Sequence, residues 1–279
     1  MTAIDLAERS WGDPSRSVDL IFVHANGFNG ATYRTLLEPL GETWRIIAPD
    51  LRGHGQTRLP IWPENRANWN DMRGDLMALL DRDGPPPVLA GHSMGATLAL
   101  LAAAERPGRV RGLVMLDPVI LARPAAAAMR LPGGWRLARR HPWAVAALRR
   151  RRRFPDRAAA IASYRGRGSF KGWPEQVLTD YVEDGFRPTP DGEVELACLP
   201  EWESSNFSAQ ANDAWGAFDK VTCPVRILKA DQGSTCAVSS DDARRYPQLT
   251  VETLPGATHF FPMLQPNPAR SALAQALEP

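Results

Sequence analysis

Up to about Leu116 the chain alternates short, wholly apolar runs with longer stretches in which apolar residues recur every three or four positions. The run Asp19-Leu20-Ile21-Phe22-Val23 reads as a buried strand, ended by the loop His24-Ala25-Asn26-Gly27-Phe28-Asn29-Gly30. A helix is expected over 32–40, stopping near Gly41, and then a strand over 44–48 that leads into Asp50-Leu51-Arg52-Gly53-His54-Gly55. The pattern next predicts a helix over 69–80, closed by Asp83-Gly84-Pro85-Pro86-Pro87, where proline forbids further helix. Val88-Leu89-Ala90 is a third strand, 96–104 a helix of small residues, and 110–116 a fourth strand. Strands alternating with helices at this spacing argue an α/β fold with a mostly parallel sheet covered on both faces.

The rhythm changes over 118–212. Helical segments around 125–130, 142–153, 156–164 and 174–182 follow one another without strong strands between them. Strands return at 225–229 and 249–254. The simplest organisation is one α/β core, residues 1–117 and 213–279, interrupted by a helical cap over 118–212. No internal repeat is visible.

Composition narrows the class. With 279 residues, 44% hydrophobic and 23% charged, the chain has the make-up of a soluble globular protein. No run approaches the ~18 consecutive apolar residues of a membrane-spanning helix, so no stable membrane insertion is expected. The stretch MTAIDLAERSWGD lacks the basic start and apolar run of a secretory leader. The three cysteines, Cys198, Cys223 and Cys236, are widely spaced and form no CxxC pair, which argues against a disulfide framework or zinc site and for a cytoplasmic location.

The net charge of +2 conceals an asymmetry: residues 121–175 hold 14 Lys/Arg against only Asp156 and Glu175, a local balance of +12 that leaves the rest at −10. Such a shift marks a separate module. The basic segment reads as a solvated surface, as a patch attracting anionic substrates or membrane surfaces, or, least favoured, as a nucleic-acid patch. Trp135, Trp143, Trp173 and Trp202 suggest that the same segment lines an apolar acyl pocket, although tryptophans also serve as core.

Candidate chemistry begins at Gly91-His92-Ser93-Met94-Gly95, a G-x-S-x-G directly after one predicted strand and directly before a helix. Its glycines remove side chains where strand and helix crowd, so a strained turn can hold the Ser93 hydroxyl outward. Free N–H groups at the helix start favour negative charge there. A serine nucleophile needs a base. Of the five histidines, His92 points away from the turn, His24 and His54 brace Gly-bearing loops, and His141 lies in the basic segment. His259, in the late loop Pro255-Gly256-Ala257-Thr258-His259-Phe260-Phe261-Pro262, can return to the strand ends and is the candidate base.

The loop His24-Ala25-Asn26-Gly27, the run Asp50-Leu51-Arg52-Gly53-His54-Gly55, the Ser93 turn and the late Gly256-Ala257-Thr258-His259, in this order, resemble the α/β-hydrolase superfamily, on its serine-nucleophile esterase/lipase side. The resemblance implies a mostly parallel sheet flanked by helices, a Ser/acid/His triad and a helical lid after the strand ending at Leu116. It also frames the choice of acid. Members mostly carry it in a G-x-x-D-like pattern after the strand at 225–229. Here Ala230-Asp231-Gln232-Gly233 puts glycine at that position and Asp231 two residues early. A minority take it from the end of the preceding strand, where Asp117 stands. Asp117 is therefore the first candidate and Asp231 the alternative, with a capping role as the bland reading of Asp117.

The oxyanion donors implied are the N–H of Met94 and one from Asn26, although the usual His-Gly is His24-Ala25 here. Asparagine at this loop position also occurs in haloalkane dehalogenases, which the chain resembles. Their nucleophile is an aspartate, because halide displacement forms an alkyl ester, so Ser93 argues against dehalogenation. The reading is a serine hydrolase acting on an apolar or anionic ester-type small molecule, with no cofactor, metal or nucleic-acid partner. Thioester, lactone or carbon–carbon hydrolysis would use the same residues. The rivals are a non-catalytic ligand-binding protein on this fold and a lid-driven lipase at anionic interfaces.

Overall fold

The computed structural model describes residues 5–278; residues 1–4, where the stretch read for a leader begins, and 279 lie outside the described residues. Seven strands build one sheet: β1 (Glu8–Trp11), β2 (Leu20–Val23), β3 (Ile46–Pro49), β4 (Val88–His92), β5 (Gly112–Leu116), β6 (Val225–Gln232) and β7 (Leu249–Thr258). Their spatial order is β1-β3-β2-β4-β5-β6-β7, and only the β1–β3 pair is antiparallel. The apolar runs are continuous because both faces are covered. Along β2, Ile21 and Val23 enter one buried cluster and Leu20 and Phe22 the other; along β5, Leu113 and Met115 part in the same way from Val114 and Leu116.

One face is covered by α1 (Asn70–Leu80) and α2 (Met94–Glu105). Helix α2 is buried along its whole length from Met94 to Ala104, and its glycine and alanines let it lie close to the sheet. The other face is covered by the C-terminal helix Pro266–Leu277 and by the turns after β2. Those turns are where a single helix was expected. The chain instead makes a 3-10 turn at Gly30–Tyr33, one α turn at Arg34–Leu37 and a second 3-10 turn at Glu38–Glu42. Pro39 has no N–H to continue the α ladder, and the segment tightens around it.

The segment between β5 and β6 is mainly helical, and two of its helices matter for the site: α3 (Pro142–Leu148) and α4 (Pro200–Ser208). Helix α3 stops well short of the 153 expected; Arg153–Phe154 is instead an edge of a small antiparallel sheet with Val194–Leu196 and Phe186–Pro188. No helix among the described residues is long and apolar enough to cross a membrane.

Helix α4 joins this segment to the α/β core. Trp202 is fully buried, its indole N–H donates to the Arg52 carbonyl at 2.9 Å, and the Arg66 guanidinium lies 3.9 Å above its ring. Trp202→Ala should therefore lower stability by about 3–5 kcal/mol, as for other buried aromatic truncations. Trp62, 62% exposed, should tolerate the same change within about 0.5 kcal/mol. Urea midpoints of the two variants test this, and equal losses would contradict the joining role of Trp202.

Candidate active site

Strand β4 runs into α2 through a turn that leaves Ser93 at φ 55° and ψ −122°, a strained backbone for a residue with a side chain. A Cβ on Gly95 would stand 2.2 Å from the Val23 carbonyl oxygen and 2.4 Å from that of His24, and one on Gly91 would stand 2.6 Å from the Gly95 carbonyl carbon. Both neighbours of the turn must be glycine for strand and helix to approach this closely. The conformation is held by the Ser93 N–H donating to the Leu116 carbonyl at 3.0 Å and by the Val119 N–H donating to the Ser93 carbonyl at 3.3 Å.

Asp117 follows β5 directly, with φ 42°, and is fully buried. Its Oδ1 accepts from the Ala230 N–H at 2.9 Å and the Ser234 hydroxyl at 2.5 Å. Its Oδ2 accepts from the Thr235 N–H at 3.1 Å and faces His259 Nδ1 at 2.6 Å. Burial alone would raise this carboxyl, but the hydrogen bonds from His259, Ser234 and the Ala230 N–H outweigh it and hold Asp117 below the usual carboxylate range. The other ring nitrogen of His259 lies 3.1 Å from Ser93 Oγ. Ser93, His259 and Asp117 thus come together in one hydrogen-bonded row. Asp231 does not join them: it stands exposed on β6, where its carboxylate accepts the Gly256 N–H at 3.1 Å. Ser234 and Thr235 escaped sequence reasoning, since only the contact with Asp117 distinguishes them from ordinary loop residues.

His92, pointing away from the turn, is bound at both ring nitrogens. Its Nε2 donates to the His259 carbonyl at 2.9 Å, and its Nδ1 meets the Tyr33 hydroxyl at 2.8 Å. The Tyr33 oxygen in turn accepts the Ala25 N–H at 3.1 Å, so one buried chain links the loop after β2 to the backbone of His259. His24 and His54 brace the neighbouring loops, accepting the N–H groups of Leu51 and Gly27 at 2.9 and 3.1 Å.

Asn26 is also buried, and its side chain is occupied. The amide donates to the Glu203 carbonyl at 2.9 Å, and its oxygen accepts from Asn206 at 2.9 Å, both partners lying on α4. The Asn26 backbone N–H has no hydrogen-bond partner among the described residues. Met94 is the first residue of α2, and the first N–H groups of a helix have no partner within it.

Two cavities meet at Ser93 and Asn26. The smaller, about 380 Å³, is walled by Phe28, Tyr164, Phe170, Phe207 and Phe260, with Arg150 and Arg167 also in its lining. Arg150 is neutralised by Glu203 and hydrogen-bonded to Tyr181 at 2.6 Å and Tyr164 at 3.1 Å. The larger, about 780 Å³, is lined mainly by apolar residues, among them Trp69, Ile120, Met129 and Leu137. Trp143 borders both, with its ring centroid 6.1 Å from that of His259. Of the four tryptophans expected to line an acyl pocket, it alone lines these cavities. Trp173 and Trp202 are core, Trp135 lines a separate hollow, and Trp69, from the α/β core, takes a place in the wall. No group of acidic, histidine or cysteine side chains able to hold a metal occurs among the described residues.

A sequence model of the alpha/beta hydrolase family matches residues 20–272. The chain is 28% identical over 270 residues to the 2-(acetamidomethylene)succinate hydrolase of Mesorhizobium japonicum, covering 93% of this chain and 87% of the relative. A crystal structure of E-2-(acetamidomethylene)succinate hydrolase superposes with a TM-score of 0.78 at 25% identity, covering 98% of this chain and 94% of that one. Human monoglyceride lipase is 35% identical over 129 residues, 43% of this chain and 41% of that protein.

The buried imidazoles make the fold acid-sensitive. Burial lowers His24 to about 4, lowers His92 to about 3 with help from His259, and carries His54 well below its usual value with help from His24. Unfolded, all three accept protons near pH 6.5, so the stability they contribute is complete above that value and lost as pH falls towards their folded values. Asp50, pushed up to about 6 by burial, opposes them by holding a proton that the unfolded chain has released. Near pH 5 the three imidazoles outweigh Asp50, so unfolding should take up protons and stability should fall as the pH falls through that range. Urea midpoints that stay flat from pH 6.5 down to 4.5 would contradict this.

Proposed function

The chain belongs to the alpha/beta hydrolase family, and from that premise we propose that it is a serine hydrolase that cleaves a carboxylic ester through an acyl-enzyme. The observation that carries the reading is the position of His259, 3.1 Å from Ser93 Oγ through one ring nitrogen and 2.6 Å from Asp117 through the other. As the Ser93 oxygen bonds to the ester carbonyl carbon, its proton passes to Nε2 of His259. The buried Asp117 carboxylate accepts Nδ1–H throughout, which fixes the tautomer and stabilises the imidazolium. The carbonyl oxygen gathers negative charge and takes hydrogen bonds from the Asn26 and Met94 N–H groups. Collapse breaks the carbon–oxygen bond, and His259 returns its proton to the departing alkoxide. Water then repeats the sequence on the acyl-serine, with His259 as base, and releases the acid. Every proton and electron pair is accounted for without a cofactor.

The two cavities flanking Ser93 support a substrate with a bulky apolar part, and Arg167, which forms no ion pair among the described residues, suits an ester that also carries an acidic group. Residues 118–212 act as the cap that walls both cavities through Trp143 and Phe207, on a core of 1–117 and 213–279, and the enzyme works in the cytoplasm.

Incubation with a fluorophosphonate should add one adduct to the wild type and none to Ser93→Ala, read by intact mass. An unmodified, folded wild type would favour a ligand-binding protein instead. Asp117→Asn should lower ester turnover by about 10⁴-fold, while Asp231→Asn stays near wild type. The reverse ranking in steady-state assays would move the acid to Asp231.

A further inference from the structure

The two cavities at Ser93 have four lining residues in common: Ser93, Asn26, Trp143 and Phe207. The last two, with ring centroids 5.8 Å apart, border both spaces. The remaining walls differ. His259 and Phe260 line the smaller cavity and not the larger, whereas Met94 and the loop 233–237 line the larger and not the smaller. Farther out, the smaller is walled by the rings of Phe28, Tyr164 and Phe170, and the larger mainly by aliphatic side chains such as Ile120, Met129 and Leu137.

A carbonyl carbon bonded to Ser93 Oγ carries three other groups, and each makes its own demand. The oxyanion needs the Asn26 and Met94 N–H groups. The leaving oxygen needs the proton held on Nε2 of His259, so the alcohol must depart along a wall that contains His259. The acyl carbon takes the direction that remains. Of the two cavities, the smaller has His259 in its wall. We infer that the smaller cavity receives the alcohol part of the substrate and the larger one its acyl part. The inference rests on the proposed ester hydrolysis and gives that reaction a substrate class. It is an ester joining a long or branched aliphatic acid, fitted to about 780 Å³ of aliphatic wall, to a compact alcohol fitted to about 380 Å³ between aromatic rings. Once the alcohol has left with the proton, water takes its place beside Nε2, and the acyl group stays where it is until it is released.

Two substitutions that each fill one cavity test the assignment. Ala125→Trp enters the larger and Ala146→Trp the smaller, both at exposed positions on helices. The first should lower the ratio of kcat/KM for nitrophenyl octanoate over nitrophenyl acetate by at least about tenfold. It should leave the ratio for naphthylmethyl acetate over ethyl acetate within about twofold. Ala146→Trp should do the reverse. Leu137→Ala and Phe170→Ala, which widen the larger and the smaller cavity, form a second pair that should shift the same two ratios, each sparing the other. Fluorophosphonate labelling verifies that every variant keeps an assembled Ser93. Interchanged effects would overturn the assignment, and so would variants of both pairs that move both ratios alike or move neither. Should nitrophenyl octanoate leave no octanoyl adduct on Ser93 of the wild type and release no acid, the ester-hydrolase reading itself falls, a result that no cavity variant can imitate.

Discussion

The tight contact between β4, α2 and the end of β2 sets the geometry of the whole site. A helix buried on every side can lie this near a sheet only if the residues at the crossing have no side chains, which Gly91 and Gly95 provide. The reward of that packing is apolar burial along the full length of α2. Its local consequence is that Ser93, lying between the two glycines, has no relaxed backbone conformation available and stands proud of the turn. Large apolar burial thus sustains a small strained element, and the strain is what exposes a hydroxyl at the carboxyl ends of the strands, where parallel sheets gather their loops.

Around this point the protein uses neutral, buried polar groups as fixings. His24, His54 and His92 are kept uncharged by burial, and each has both ring nitrogens engaged with neighbouring backbone or hydroxyl groups. The formal charge in the row is concentrated on Asp117, whose four close donors compensate its lost hydration. The Arg150–Glu203 pair extends the same logic into the segment between β5 and β6: two desolvated charges are tolerable because two tyrosine hydroxyls and each other satisfy them. Through the Glu203 carbonyl and Asn206, helix α4 then reaches the Asn26 side chain, so the loop after β2 is shaped from both the sheet core and the segment between β5 and β6.

Much of this was legible in the chain itself, for reasons that can be named. Strands buried on both faces leave unbroken apolar runs, and β2 through β5 were found within two residues of their ends. The Ser93 turn announces itself because two glycines at fixed offsets are a local steric demand. Asp117 was legible only through the family resemblance, which offers the end of the preceding strand as a second position when glycine stands at 233, and Asp231 stayed open beside it. Its donors Ser234 and Thr235 left no trace, since a hydrogen bond across more than a hundred residues has no periodicity. The edge strand β1 was missed because an edge alternates half-buried with exposed residues and lacks an apolar run. The short strands Arg153–Phe154, Phe186–Pro188 and Val194–Leu196 are too brief for a pattern to form.

The position of Asp117 has a consequence for how freely this architecture can diversify. Ser93 and Asp117 close adjacent strands, and their backbones are bonded through Leu116 and Val119 into one rigid block contained in residues 88–119. That block ends before most of the segment between β5 and β6 begins. Insertions or deletions within that segment therefore leave the spacing of Ser93 and Asp117 untouched, whereas a carboxylate placed after β6 would have its alignment with Ser93 set across the intervening segment. Only His259 must be brought from afar, and the carbonyl contact from His92 registers it against the same block. The geometry of the Ser93–His259–Asp117 row and the wall of the two cavities are thus nearly separate inheritances, which lets the wall change length, charge and curvature while the row beneath it stays constant.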